Sequence, residues 1–255
     1  MHPAVLPMLP NIICISLADQ PTRRAYMARQ FDAIGAGYRF LDGIRVDLTA
    51  GWPAAYDRQA RLAYSLTDLR AGEIGCYLSH RQAWQEFLTS TDELCCVLED
   101  DAELHADFSA TVEALCRCRE SWDLVRLLGF SAQPFKQLQR ISGPHYLVDY
   151  WRKQPCGAVG YLLTREAAQR LLDHTATIIH PIDNAIDREW EHRLRLRGVE
   201  PPILSHVEAF ASTIGVRGAG KQRWPAKLKR ESNRLTTNLR KQLWSLGKRL
   251  YYLFH

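Results

Sequence analysis

Leu94-Cys95-Cys96-Val97-Leu98-Glu99-Asp100-Asp101-Ala102 is an apolar run that stops in three consecutive acids. A run of this length reads as a buried strand. Three carboxylates at its C-terminal end cannot all stay charged and close together without a counterion. In an open α/β sheet, ligands bind outside the carboxyl ends of the strands. A divalent cation carrying a phosphorylated substrate satisfies all three conditions, because Mg²⁺ and Mn²⁺ take carboxylates together with substrate phosphates. The alternative is a strand-to-loop turn whose acids face solvent or cap the next helix.

Working outward, Asn11 to Leu17 reads as a first buried strand, followed by a helix from about Arg23 to Ile34 with Pro21 near its first turn. Tyr38 to Leu41 is a short second strand ending at the turn Asp42-Gly43. This strand–helix–strand opening belongs to α/β folds. Gly72-Glu73-Ile74-Gly75 leads into a helix from Cys76 to Leu88. Beyond the acids come a helix from Ala110 to Arg119 and a strand from Trp122 to Leu128. Phe130 to Tyr150 carries little periodicity. Cys156 to Thr164 is a glycine-containing strand, and Thr164 caps a helix from Arg165 to His174. A further helix is expected over Ile182 to Leu196.

At 255 residues the chain suits one domain, or one domain with an appendage. No run of about 18 uncharged apolar residues predicts a membrane span. Met1 to Pro10 holds three prolines and no basic segment, so no signal peptide is expected. Seven cysteines without framework spacing predict reduced thiols in a cytosolic protein; Cys76, Cys95, Cys96 and Cys156 read as small apolar fillers. The net charge of +5 is unevenly spread: Lys221 to His255 holds ten Lys/Arg and one acid, Glu231, while residues 1–220 hold 23 basic and 27 acidic residues.

Four blocks, in this order, resemble glycosyltransferase family 25, the lipooligosaccharide-type galactosyltransferases. They are Ile15-Ser16-Leu17 with Arg23-Arg24, Gly72 to His80, Leu98 to Ala102, and Gly160 to Thr164 followed by Pro181-Ile182-Asp183. Together they span roughly residues 11–190, leaving the tail outside the resemblance. The resemblance implies a GT-A type fold, a Rossmann-like mixed sheet flanked by helices. It also implies inverting transfer of a sugar, most often galactose from UDP-galactose, to a lipooligosaccharide, lipopolysaccharide or related glycan, with a divalent metal (Mn²⁺ or Mg²⁺) as cofactor. The expected division is a catalytic domain over residues 1–215 and a basic amphipathic tail over 216–255.

On this reading Asp101 and Glu99 are the metal ligands and Asp100 serves the diphosphate. In extended backbone Glu99 and Asp101 share a face and Asp100 points away. Ser16, Leu17 and Arg24 match the first block, where a strand end meets a helix N-terminus suited to phosphate. Asp42 at the end of the second strand is placed near the nucleoside, or is a simple turn residue. Gly75 allows tight backbone before the helix. Ser79 and His80 are placed near the donor, with His80 alternatively a buried side chain that ties down the loop. Inversion needs a base for the acceptor hydroxyl; Asp183 is the candidate, with Asp187 one helical turn on and Glu189 an alternative. Trp151 is a candidate for acceptor contact.

The tail alternates Leu228, Leu235, Leu239, Leu243, Leu246 and Leu250 with basic residues at helical spacing. It reads as a basic amphipathic helix on an anionic membrane surface, or as a C-terminal helix packed on the body. The first reading places the enzyme in the cytoplasm, peripheral on the inner face of a bacterial inner membrane beside its glycolipid acceptor. A non-catalytic protein using the basic tail on membrane or nucleic acid is the competing function, but no nucleic-acid motif is present and none is expected as a partner. A nucleotidyltransferase is disfavoured because Ser16 to Arg24 lacks glycine.

Overall fold

The computed structural model describes residues 9–65, 67–207 and 224–254. The expectations for the first eight residues and for the boundary at 215/216 lie outside the described residues. The elements run β1 (Ile12–Ser16), α1 (Pro21–Ala33), β2 (Tyr38–Asp42), α2 (Arg58–Tyr64), α3 (Ala71–Thr89), β3 (Leu94–Glu99), β4 (Ala102–Leu104), α4 (Phe108–Arg117), β5 (Leu124–Arg126), β6 (Lys136–Ser142), β7 (His145–Asp149), β8 (Gly160–Thr164), α5 (Arg165–His174), α6 (Ile182–Ile186), α7 (Glu189–His192), β9 (Leu196–Glu200), β10 (Leu204–His206) and α8 (Trp224–Phe254).

Eight strands form one mixed sheet in the order β2-β1-β3-β8-β5-β9-β7-β6, and β10 pairs with β4 beside it. β1 runs parallel to both β2 and β3, whereas β8 is antiparallel to β3 and β5. The chain leaves β1 to one side for β2 and returns to the other side for β3. The carboxyl ends of β1 and β3 therefore form a topological switch point, the place where such sheets open a crevice.

The two helical layers follow from strand alternation. Ile13, Ile15, Cys95 and Val97 face Tyr77, Trp84 and Phe87 of α3 and Leu171 of α5. Ile12, Cys14, Cys96 and Leu98 face Met27 and Phe31 of α1 and Phe108, Val112 and Leu115 of α4. Both faces of β3 are covered, which is why its sequence is continuously apolar rather than alternating.

Three expectations need correction. α3 starts at Ala71, not Cys76: Glu73 sits in its first turn, its carboxylate accepting from the Arg70 backbone N–H at 2.9 Å. Ser79 and His80 therefore lie in the third turn. The helix expected over 182–196 is two short helices ended by Arg193 in the left-handed region (φ 60°), and Leu196 onward is strand β9. The unpatterned stretch 130–150 contains the hairpin β6–β7, turned at Gly143 (φ 48°). All seven cysteines are free, and no described helix is long and apolar enough to cross a membrane.

α8 packs on the body through polar groups. Lys248 Nζ donates to Asp149 at 2.8 Å and to Glu189 at 2.7 Å, and Tyr252 hydroxyl donates to Asp149 at 2.5 Å. Ser245 Oγ donates to the Trp151 carbonyl at 2.6 Å. The opposite face leaves Leu235, Leu239, Leu243, Leu246, Leu250 and Tyr251 exposed at 46–69%.

Candidate active site

A cavity of about 500 Å³ opens at the switch point. Its walls include Ser16, Leu17, Gln20 and Arg23 after β1, Gly43 to Val46 after β2, Gly72, Cys76 and Ser79 of α3, the acids of β3, and Phe130, Val159 and His206. The volume suits a small-molecule ligand.

The three acids diverge and meet three different partners. Asp100 turns toward α1: its carboxylate accepts from Ser16 Oγ at 2.6 Å and from Arg23 Nη1 at 2.8 Å. Glu99 continues the strand face toward α3, where Oε1 accepts from His80 Nε2 at 3.0 Å and from the Cys76 thiol at 3.4 Å. Burial alone would raise the Glu99 carboxyl, but the hydrogen bond and charge of His80 outweigh it and hold the group below the ordinary range. Asp101 turns toward β10, accepting from His206 Nε2 at 3.1 Å on Oδ2. Its Oδ1 is buried without a partner. Burial first, then the charge of Glu99, pushes Asp101 up to about 6. The carboxylates of Asp100 and Glu99 are thus neutralised by the fold, whereas Asp101 has His206 and a more distant Arg23 (3.9 Å) at Oδ2 and nothing at Oδ1.

His80 is fully buried and orients Glu99 from behind. Trp84 Nε1–H donates to the Tyr161 hydroxyl at 2.9 Å, and that hydroxyl stands 2.8 Å from His80 Nδ1. The Tyr161 hydroxyl thus bridges Trp84 and Nδ1 and fixes the ring so that Nε2 faces Glu99.

Gly75 and Ser79 shape the cavity wall instead of lining it for a ligand alone. Ser79 Oγ accepts from the Ile44 N–H at 2.8 Å and donates to the Gly75 carbonyl at 2.8 Å. A Cβ on Gly75 would lie 2.3 Å from the Ile44 carbonyl oxygen. Gly75→Ala is expected to cost about 1–3 kcal/mol by forcing α3 off the 43–46 loop, which urea unfolding measures.

Arg24 does not line the cavity. It donates to the Ser16 carbonyl at 2.8 Å and pairs with Asp42, clamping the ends of β1 and β2. Its neighbour Arg23 is the residue that faces the acids. A sequence signal for this existed: Arg23, Met27 and Phe31 are the buried residues of α1, spaced by four. His206 and Tyr161 carried no comparable signal.

Asp183 and Asp187 do not line this cavity. Asp187 binds Arg126 Nη2 at 2.5 Å and lines a second cavity of about 190 Å³ with Trp151, Gln154, Cys156, Trp190 and Trp244. Its carboxyl is raised, by burial first and by Asp183 among the charges, against the opposing effect of Arg126. Asp183, in the first turn of α6, accepts from the Asn184 backbone N–H at 2.7 Å. Its charge is felt by Cys76 in the first cavity and by Cys156 and Asp187 in the second. Val159 lines the first cavity and Cys156 the second. Glu189, the other acid considered, is taken by Lys248.

The family model described as glycosyltransferase family 25 (LPS biosynthesis protein) matches residues 9–186. Curated relatives include a glycosyltransferase 25 family member of Anopheles gambiae, 28% identical over 69% of this chain and 31% of its own length. Procollagen galactosyltransferase 1-B of Xenopus laevis is 31% identical over 53% of this chain and 25% of its own. A Homo sapiens relative named inactive glycosyltransferase 25 family member 3 is 29% identical over 64% of this chain and 28% of its own. The chain thus spans less than a third of the length of these relatives.

Proposed function

This chain belongs to glycosyltransferase family 25, and on that premise we propose that it moves a sugar, galactose foremost, from a UDP-sugar to a glycan acceptor with inversion. The observation that carries the reading is Asp101: a half-buried carboxylate just past a strand end, with one buried oxygen unpartnered, on the wall of a ligand-sized cavity. That oxygen and Glu99 fit the hard oxygen donors a Mg²⁺ or Mn²⁺ ion takes. Bound there, such a cation would neutralise the leaving diphosphate.

The chain's own groups do the rest. The start of α1, with Gln20 and Arg23 in the cavity wall, turns the positive end of its dipole toward the diphosphate. Arg23 keeps Asp100 neutralised, and His80 holds Glu99 in place. Asp183, in the first turn of α6, is assigned as the base that takes the acceptor hydroxyl proton, with Asp187 one turn on. Proton transfer of this kind contributes about 10²–10⁴-fold, so Asp183→Asn is expected to lower transfer to acceptor by that factor with the fold intact, as steady-state kinetics would read.

The test of the donor reading is hydrolysis by the purified chain with and without Mn²⁺, offering UDP-galactose, UDP-glucose, UDP-N-acetylglucosamine, UDP-N-acetylgalactosamine and GDP-mannose. Slow cation-dependent nucleotide release from one donor, lost in Asp101→Asn, supports the proposal. The inactive relative favours a second reading, donor binding without turnover, and saturable UDP binding with no release from any donor would select it.

The exposed stripe of α8 is assigned to an anionic membrane surface next to a lipid-linked acceptor. Five leucines, Leu235, Leu239, Leu243, Leu246 and Leu250, lie in helical register on a segment rich in Lys and Arg, and each cation near such a surface contributes about 1 kcal/mol. Vesicles containing phosphatidylglycerol should sediment with the chain, those of phosphatidylcholine alone should not, and Leu239→Ser with Leu243→Ser and Leu246→Ser should release it. Dimerisation through the stripe, read by light scattering, would overturn this assignment.

A further inference from the structure

We propose that the first cavity holds a second cation site, for a thiophilic ion such as Zn²⁺, built from Cys76, His80 and Glu99. The three donor atoms, Cys76 Sγ, His80 Nε2 and Glu99 Oε1, all lie within 4.8 Å of one another. The Nε2–Oε1 separation is 3.0 Å and the Sγ–Oε1 separation 3.4 Å. Tetrahedral zinc, with bonds of about 2.0–2.3 Å, sets its ligand atoms about 3.3–3.7 Å apart. Two edges of the triangle are therefore within a few tenths of an ångström of zinc geometry, and the third, Sγ–Nε2, closes within 4.8 Å.

The local structure explains why the three converge. Cys76 and His80 are one turn apart on α3, so their side chains share the face turned to the sheet. Glu99 is the last residue of β3 and continues the alternation of Cys95 and Val97 toward that same helix. The second shell is already present: the Tyr161 hydroxyl stands 2.8 Å from His80 Nδ1 and can accept from it as well as from Trp84. Cys76 and Glu99 line the cavity, which provides both an access path and an open fourth position.

On binding, the Cys76 thiol proton leaves to solvent, and a neutral His80 carries its proton on Nδ1, donated to Tyr161, while Nε2 binds the ion. A thiolate–imidazole–carboxylate set prefers Zn²⁺ over the oxygen-seeking Mg²⁺ and Mn²⁺. The two sites share Glu99. Where the transferase reading holds, Zn²⁺ at the second site withdraws Glu99 from the cation held by Asp101 and acts as an inhibitor. Binding itself does not depend on that reading.

The test uses Co²⁺ and Zn²⁺ on the full chain. One equivalent of Co²⁺ should produce a thiolate-to-metal charge-transfer band, displaced by Zn²⁺. Cys76→Ala, with its fold checked by thermal unfolding, should abolish the band and weaken Zn²⁺ by roughly 100-fold or more. Asp101→Asn should keep the band, which separates this site from the donor site. Absence of the band, or a band that survives in Cys76→Ala and so arises from other cysteines such as Cys116 and Cys118, overturns the proposal. If the donor is hydrolysed, Zn²⁺ should also raise the Mn²⁺ concentration needed for half-maximal release; a band without that competition leaves the site standing and rejects its inhibitory role.

Discussion

Asp101→Asn should make the cation-free protein more stable at pH 7 while abolishing its stabilisation by Mn²⁺. In an unfolded chain an aspartate titrates near 3.9; in this fold Asp101 is pushed up to about 6, by burial and by Glu99. Below about pH 4 the group is protonated in both states and contributes nothing. Between about 4 and 6 the folded state holds a proton the unfolded state has lost, so stability falls as pH rises through this window. Above about 6 the folded state carries the full cost of a buried carboxylate, about 2–3 kcal/mol. The asparagine removes that cost and weakens the His206 hydrogen bond, worth about 1 kcal/mol. The net expectation is a gain of about 1–2 kcal/mol, a few degrees in melting temperature. A bound cation would favour the charged carboxylate, so Mn²⁺ should raise the melting temperature of the wild type and leave the variant unmoved. Donor hydrolysis should fall by about 10²-fold or more, the equivalent of about 3 kcal/mol of charge stabilisation. Equal stabilisation of both proteins by Mn²⁺ would place the cation elsewhere.

Arg23→Ala should be among the most destabilising single changes in the chain. Asp100 is 7% exposed and Arg23 8% exposed, and their ion pair is buried at the cavity floor. Removing one partner of such a pair leaves an uncompensated buried charge and costs about 3–5 kcal/mol. Replacing both, Arg23→Met with Asp100→Leu, should restore most of the stability, because apolar side chains of similar size carry no desolvation penalty. Arg24→Ala is the control: its partner Asp42 is 71% exposed, and such pairs contribute about 0–1 kcal/mol. Urea unfolding of the four proteins reads the ordering directly. If Arg23→Ala and Arg24→Ala cost the same, Arg23 is not the counterion that holds Asp100.

What was legible in the chain was local. β1, α1, β3 and α5 announce themselves because each packs a continuous apolar run or an apolar stripe against the core. The hairpin β6–β7 did not: β6 is an edge strand whose residues are mostly half-exposed or exposed, so its pattern carries no burial signal. β9 was hidden for another reason. Leu196-Arg197-Gly198 becomes a strand through its parallel pairing with β5, and Gly198 is needed because the Tyr150 ring lies 2.4 Å from where a Cβ would stand. Neither neighbour is near in sequence.

The same division runs through the site. The sequence by itself determined that a buried strand ends in three acids within an α/β fold, and that Ser79 and His80 lie on a helix. Periodicity and composition suffice for that, because they are properties of neighbouring residues. Only the tertiary structure decided which acid remains available. Asp100 is neutralised by Arg23, 77 residues away, Glu99 is held by His80 and Cys76, 19 and 23 residues away, and Asp101 meets His206 across 105 residues. A carboxylate's role is set by the charges and donors that fold around it, and those distances are closed by the sheet and its crossovers, not by the chain's local pattern.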